Sequence, residues 1–502
     1  MKRGIVELLF GDGAKGRFTD FGKAAKAADA ALSKEKMFEP FNEKDGLPTS
    51  SSGTNSNSDL PEDYSPGEAG NTVLKAIEAG APFIFMTGRA GTGKSTFVRF
   101  LQRRYQEGRL NTAIVAPTGV AALNAGGQTI HSFFKFPPRR IIPAEDIHKK
   151  DVTIIKKLDL LIIDEISMVR ADLLDAIDYA LRLWRGSKAP FGGVQLLVVG
   201  DLLQLPPIVK GDERTRFETE YRSPWFFDAQ VFMKEVEVLT VELTEVHRQT
   251  DGGFIDLLNR IRVNEDHREA VAELNRDCFR DAAPMSTSLT LTATNSAADS
   301  INDGELEAIA ADIVSYEGTT IGNFKLTGDR LPSPNPLMLK IGARVMVTQN
   351  IPGAVNGSLA TVLRLEKDAV TIELDVGGEL RLIRACWQQF EFVWSAEKGR
   401  IVPEVVGEYR QIPLMLGWAV TIHKSQGLTL DSVTVDLGRG AFAVGQTYVA
   451  LSRCRDKGSL RLARPISMRD VMADTRVIEF QRSIMQEPPQ DVGAPSISVP
   501  SD

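Results

Sequence analysis

The sequence predicts an α/β protein with two doubly wound parallel-sheet domains and a small β-barrel inserted in the second. Between about 71 and 246, short apolar runs of strand type alternate with helix-type segments, the pattern of a parallel sheet with ligands at the carboxyl ends of its strands. A second α/β stretch begins near Arg248. Within it the texture changes, at about 351–410, to short alternating strands and tight turns.

Residues 1–66 are expected to form an extension: 22–38 has helix-forming composition, and 48–66 is rich in Ser, Asn, Asp, Gly and Pro, as in a flexible linker. In the first domain, expected at 67–247, residues 82–87 (PFIFMT) read as a strand and 96–105 as the helix after it. Residues 113–117 form the next strand, 171–185 a helix, and 158–165 and 195–201 are near-continuous apolar runs, as in strands buried on both faces. In the second domain, expected at 248–350 and 411–486, residues 254–263 and 297–310 read as helices and 288–294 as a strand. Strands follow at 343–350, 359–365, 369–374 and 379–384, with Gly377–Gly378 as a hairpin turn. The α/β pattern resumes with a strand at 432–437, a helix at 444–454 and a strand at 460–463; 487–502 reads as a disordered tail.

Composition narrows the function classes. At 502 residues the chain accommodates about three domains. No apolar run is long enough for a membrane span, and the N-terminus is no signal peptide, its apolar run being broken by Glu7. Cys278, Cys386 and Cys454 are odd in number and far apart, so neither zinc nor a disulfide framework is indicated, and a reducing compartment, cytoplasmic, nuclear or organellar, is expected. The net charge of −7 argues against a generally basic coat, yet residues 94–140 hold eight Lys/Arg and one acidic residue, Glu107. Arg99, Arg103 and Arg104 among them read more readily as a solvated helix face.

Residues 88–95 (GRAGTGKS) fit the phosphate-loop pattern at every fixed position and sit between a strand and a helix. Gly88, Arg89, Ala90, Gly91, Thr92, Gly93, Lys94, Ser95 and Thr96 would cradle a phosphate chain. Lys94 would reach the β/γ-phosphates and the Ser95 hydroxyl would ligate Mg²⁺. Asp164 and Glu165 end a buried strand; the first would share the metal with Ser95, the second would orient or deprotonate the attacking water. Gln204, in G-D-L-L-Q-L-P-P after the next strand, would touch the γ-phosphate or its water and report nucleotide state. Arg248 and Arg453 lie outside the first domain and suit cationic fingers from a closing second domain.

Residues 117–124 and 129–136, at the exit of the second strand, combine small residues, hydroxyls, one histidine and aromatics, which suits single-stranded nucleic acid. Pro117, Thr118, Gly119, Thr129, His131, Ser132 and Phe136 are the candidates there. Phe133, Phe134 and Phe136 read more readily as core or interdomain packing, with base stacking the alternative. Thr421, His423, Lys424, Ser425, Gln426 and Gly427 would line the cleft and the nucleic-acid channel.

The ordered set GRAGTGKS, APTGVAALNAGGQTIHSF, LLIIDEISM, PFGGVQLLVVGDLLQLPP, LTEVHRQ, LTATNSAADSIN, AVTIHKSQGLTL and GQTYVALSRCR resembles the petite integration frequency (Pif) family of DNA helicases, group B of superfamily one. The resemblance covers about 71–465, and its most specific part runs from Asp164 to Pro207. It implies two RecA-like domains with ATP between them, and small insertions, the first near 136–156 and the second similar to a Src-homology-three barrel. It also implies ATP hydrolysis with Mg²⁺, 5′-to-3′ travel on single-stranded DNA, and unwinding at single/double-strand junctions. Lys94, Ser95, Asp164, Glu165, Gln204, Arg248 and Arg453 match the family's ATPase positions. Pro117, Thr118, Thr129, His131, Thr421, His423, Lys424 and Ser425 fall in its DNA-contacting motifs. The adenine-reading glutamine of many relatives has no counterpart in 63–81, so base specificity does not carry over.

The expectation is therefore an ATP-dependent DNA helicase, monomeric, whose N-terminal extension reads as a mobile tail or a helix docked on the body, with a docking arm for a protein partner as the alternative. The alternative is a DNA-dependent translocase subunit of a larger replication or recombination complex. A phosphotransferase would not need a second half carrying Arg453. A non-catalytic strand-binding module would not need Lys94, Asp164, Glu165 and Arg453 together.

Overall fold

Apolar runs with no polar face are stable only when covered on both sides, and the first domain is built on such strands. The computed structural model describes residue 60 and residues 64–485, apart from 107–109, 138, 140, 149–151, 210, 235, 237, 250 and 280–287. The expected extension, except 60 and 64–66, and the expected tail lie outside the described residues. The first sheet comprises β1 (Phe83–Gly88), β2 (Thr112–Ala116), β3 (Gln128–Thr129), β4 (Leu160–Ile163), β5 (Gln195–Val199) and β6 (Leu239–Leu243). Its order is β3-β2-β4-β5-β1-β6 and every pairing is parallel. All carboxyl ends therefore share one edge, so the segments after β1, β4 and β5 converge although they are far apart in sequence.

Helix α1 (Gly67–Glu78) precedes β1, and α2 (Lys94–Gln106), α3 (Gly119–Asn124), α4 (Ile130–Phe134) and α5 (Ala171–Arg185) lie between the strands. In α5, Leu173, Leu174, Ile177, Leu181 and Trp184 recur at helical spacing and are buried, and Gly186 closes the helix in the left-handed conformation.

A second parallel sheet holds β7 (Leu289–Thr292), β8 (Ala419–Thr421), β9 (Val433–Asp436) and β10 (Leu460–Leu462), in the order β8-β7-β9-β10. With it come α6 (Gly252–Val263), α7 (His267–Cys278), α8 (Asn295–Ala308) and α9 (Gln446–Leu451). The α/β class with two RecA-type parallel sheets is thus present. Helix α7 is an addition to the sequence reading.

Between β7 and β8 the chain forms antiparallel structure. One sheet orders Glu379–Ile383, Ala369–Leu374, Leu359–Leu365, Arg344–Val347 and Leu414–Leu416. It reaches past the expected limits of 351 and 410 on both sides, because Arg344–Val347 pairs with strands on either flank. The turn at Gly377 and Gly378 is there, both glycines with positive φ. A second sheet was not expected. Ala385–Ser395 and Arg400–Gln411 form a long hairpin, joined by Thr319–Gly322. It leans on the first domain: the Phe392 N–H donates to Gln128 Oε1 (3.0 Å) and the Ile401 N–H to Asn111 Oδ1 (3.0 Å).

The last described helix, α10 (Thr475–Met485), was expected with the second domain but docks on the first. Phe480 stacks on Phe227 at 4.0 Å between centroids, Arg476 pairs with Asp228 (2.6 Å), and Trp225 donates to Asp474 (2.8 Å). Val477 is buried in the first domain's core. A long-range aromatic and ionic fit of this kind leaves no local mark in sequence. Among the described residues, no helix is long and apolar enough to cross a membrane.

Candidate nucleotide site and nucleic-acid face

The phosphate loop joins β1 to α2, so α2 starts with unpaired backbone N–H groups where an anion would sit. Gly91 has φ +82°, and a Cβ there would lie 2.5 Å from the Cβ of Arg248, so only glycine lets that arginine approach. The Lys94 ammonium donates to the Gly88 and Arg89 carbonyls (2.8 and 2.9 Å), folding over the loop it serves. Burial lowers its pKa, against the pull of Asp201, Glu165 and Asp164. Ser95 is exposed, on the first turn of α2. Thr92 is buried, and its hydroxyl donates to the Arg89 carbonyl (2.9 Å).

Asp164 and Glu165 follow β4. Asp164 is buried, accepts the Glu165 N–H (2.9 Å), and has its pKa raised by burial. Glu165 holds a left-handed backbone, φ 52° and ψ 47°, a conformation costly for a non-glycine residue and concentrated at functional sites. Burial, then the Asp164 charge, push its carboxyl up to about 7, with Lys94 and Arg453 opposing. A carboxyl titrating there suits a general base. Ser95 and Asp164 fit a magnesium ion held jointly with phosphate oxygens: one offers an exposed hydroxyl, the other a carboxylate beside Lys94. Among the described residues no cluster of three or more His, Cys, Asp or Glu could hold a metal alone.

The second domain closes the site with two arginines. Arg453 is 1% exposed and donates only to neutral acceptors: the Val449, Ser425 and Leu428 carbonyls and the Ser452 hydroxyl. Burial and the Arg248 charge push its pKa down to about 9. Arg248 donates to Thr429 Oγ1 (2.9 Å) and to the Ser452 and Gly427 carbonyls, and burial lowers its pKa to about 10. Among the described residues neither has a carboxylate within ion-pair distance. A buried Arg453 and a half-buried Arg248, neither in an ion pair, suit an arriving anion.

Gln204 is buried after β5, and its amide donates to Asp201 Oδ2 (3.2 Å). Gln426, expected only to line the cleft, donates to Glu165 Oε2 across it (3.2 Å). Two further participants had no role in the sequence reading. The Tyr448 hydroxyl accepts the Ala90 N–H of the phosphate loop (3.2 Å). Arg262, on α6, pairs with Asp201 (2.8 Å). Asp201, Gln426 and Tyr448 lie inside the quoted motifs. For Arg262 the available signal was its position on the apolar face of a helix, with Phe254, Leu258 and Ile261.

On the other face the candidates divide. Thr118 caps α3 by accepting the Ala121 N–H, and Thr129 caps α4 by accepting the Ser132 N–H (3.2 Å each), so their side chains shape the loops. Pro117, Gly119, His131 and Ser132 are half-buried beside them. Burial lowers the pKa of His131 and of His423. Lys325 donates to Ser132 Oγ (3.0 Å), and Leu326 packs over Gly119. Lys424 and Gly427 are exposed. Three residues need correction as direct contacts. Phe136 is 6% exposed and stacks on Phe134, which stacks on Trp184, so core packing claims it. Ser425 is fully buried and donates to the Ile422 carbonyl (2.8 Å). Thr421 is buried and accepts the Lys424 N–H (3.2 Å).

A phosphate loop, a two-carboxylate strand end and trans-domain arginines between two parallel sheets define a nucleotide-driven motor of the helicase class. The model of the PIF1-like helicase family matches residues 69–270. The chain is 34% identical over 481 residues to the ATP-dependent DNA helicase PIF1 of Rattus norvegicus, covering 92% of this chain and 71% of that one. It spans 62% of the mouse relative's length. The unliganded Pif1 structure from a Bacteroides species superposes with TM-score 0.76 at 35% identity, covering 85% of this chain and 98% of that one. The Bacteroides Pif1 bound to single-stranded DNA gives 0.60 at 36% identity, covering 84% and 97%. The chain belongs to the PIF1-like family of ATP-dependent DNA helicases.

Proposed function

We propose that the chain hydrolyses ATP with Mg²⁺ to travel 5′-to-3′ along single-stranded DNA and separate duplex ahead of it. The observation that carries this reading is a pair of arginines with no ion-pair partner among the described residues: Arg248, half-buried against Gly91 of the phosphate loop, and Arg453, buried with its charge acting on Glu165. A γ-phosphate would supply the missing counter-charge, so closure of the domains becomes dependent on ATP, and its loss on hydrolysis reopens them.

Gly88–Thr96 would hold the phosphate chain, with Gly427 at the cleft's edge. Lys94 would leave its two loop carbonyls for the β/γ-oxygens. When bound, the metal would neutralise phosphate charge, held by Ser95 and Asp164. Glu165 would take the proton of the attacking water, positioned by Gln426; Gln204 would contact the γ-phosphate or that water. Arg248 and Arg453 would stabilise the charge of the transferring group, an effect of about 10³–10⁵ in rate for such fingers. Pro117, Gly119, His131 and Ser132 on one domain, and His423 and Lys424 on the other, would grip the strand alternately. Separating duplex costs about 1.4 kcal/mol per step, so each reopening must be coupled to a forward move. The antiparallel sheet near 344–416 is the counterpart of the family's Src-homology-three-like barrel.

The test is the ATPase rate with and without single-stranded DNA, for wild type and Lys94→Ala. Strong stimulation that disappears in the variant is expected, with unwinding of forks carrying a 5′ tail and not a 3′ tail. Hydrolysis indifferent to DNA would overturn the motor; a 3′-tail preference would overturn the direction alone.

A further inference from the structure

Arg262 touches neither the phosphate loop nor the nucleic-acid face, yet it is buried at the seam between the domains. It comes from α6 of the second domain, and its guanidinium donates to Asp201 Oδ1 of the first at 2.8 Å, with side-chain exposures of 7% and 0%. Asp201 is divided between three tasks. Oδ1 also accepts the Leu203 N–H (3.2 Å), and Oδ2 accepts the Gln204 side-chain amide (3.2 Å). The same guanidinium lies 5.9 Å from the centre of the Tyr448 ring, whose hydroxyl accepts the Ala90 N–H. The Arg262 Nε has no hydrogen-bond partner, so Asp201 and the ring are what offset its burial. Burial would raise the Asp201 carboxyl, but Arg262 and then Lys94 hold it below the usual range, and it stays ionised.

We propose that Arg262 is a positioning residue that makes the orientation of Gln204, and hence hydrolysis, conditional on closure of the second domain. This rests on the motor reading above. If the domains part, Arg262 leaves with α6 and Asp201 is left charged and buried without its ion-pair partner. Gln204 then loses its fixed acceptor. Nucleotide binding, made by the loop backbone and Lys94, does not pass through this pair.

The test uses the full chain, an oligo-dT strand, and the variants Arg262→Gln and Arg262→Gln/Asp201→Asn. KM for ATP, kcat per nucleotide-binding site, DNA stimulation and melting temperature are measured for each. In Arg262→Gln the stimulated kcat per site falls about 5–150-fold, the range of a coupling between sites, and KM changes little. The double variant, which removes the stranded buried carboxylate, recovers melting temperature but not stimulation. Unchanged stimulation in the single variant, or its return with stability in the double, overturns the proposal. A wild type that ignores DNA would instead sink the motor reading on which it rests.

Discussion

Replacing Glu165 with Gln gives a prediction with two opposite signs. The carboxyl is raised from 4.5 to about 7, chiefly by burial and secondly by Asp164. As a general base it must be ionised. One ionisation near 7 leaves about a tenth of sites active at pH 6 and about nine tenths at pH 8, so wild-type kcat rises about tenfold across that interval. Stability runs the other way. The folded state binds this proton more tightly than the unfolded chain, so stability is lost as pH rises from 4.5 and the loss is complete above about 7. The shift corresponds to about 3 kcal/mol. Glu165→Gln removes that charge while Gln426 keeps an acceptor. The variant should therefore melt higher than wild type near pH 8, show no such gain near pH 4.5, and lose about 10²–10⁴ of hydrolysis. Calorimetric melts at the two pH values and an ATPase profile between them test this. A flat wild-type profile, or a variant less stable than wild type at pH 8, would refute the assignment of Glu165 as a desolvated base.

Arg453→Ala should lower kcat about 10³-fold with little change in nucleotide affinity, and Arg453→Lys should not restore it, because one ammonium cannot span the four acceptors that aim the guanidinium. Single-turnover hydrolysis with nucleotide-binding titration checks both. Lys424→Ala should weaken single-strand binding and reduce the slope of log affinity against log salt by about 0.7. Phe136→Ala should instead cost about 3–5 kcal/mol of stability and leave affinity per folded molecule unchanged. Anisotropy with a labelled strand over a salt series, alongside melting curves, separates these two.

The chemistry of the first domain was legible because it is local. A phosphate loop needs its glycines, lysine and serine within eight residues, and a buried parallel strand announces itself as LLII or QLLVV. Four strand positions in the inserted region, 344–383, were legible for the same reason: alternation and a Gly-Gly turn are short-range signals. The long hairpin was missed although Trp387, Phe390 and Phe392 alternate with polar residues for part of its length. Trp387 and Phe390 are three apart, which breaks that period, and at the same point the opposite strand carries an extra residue, Val406.

By itself, the sequence determined the class of protein, the nucleotide loop, the carboxylates and the two arginines, since motif spacing encodes what a single loop or strand end must present. Tertiary structure alone decided which candidates are free to act. It buried Phe136 and Ser425, sent α10 back to the first domain, and joined Arg262 to Asp201. The last two outcomes depend on contacts between residues 61 to about 250 positions apart, and the free energy of such a contact belongs to the pair, which no window of sequence contains.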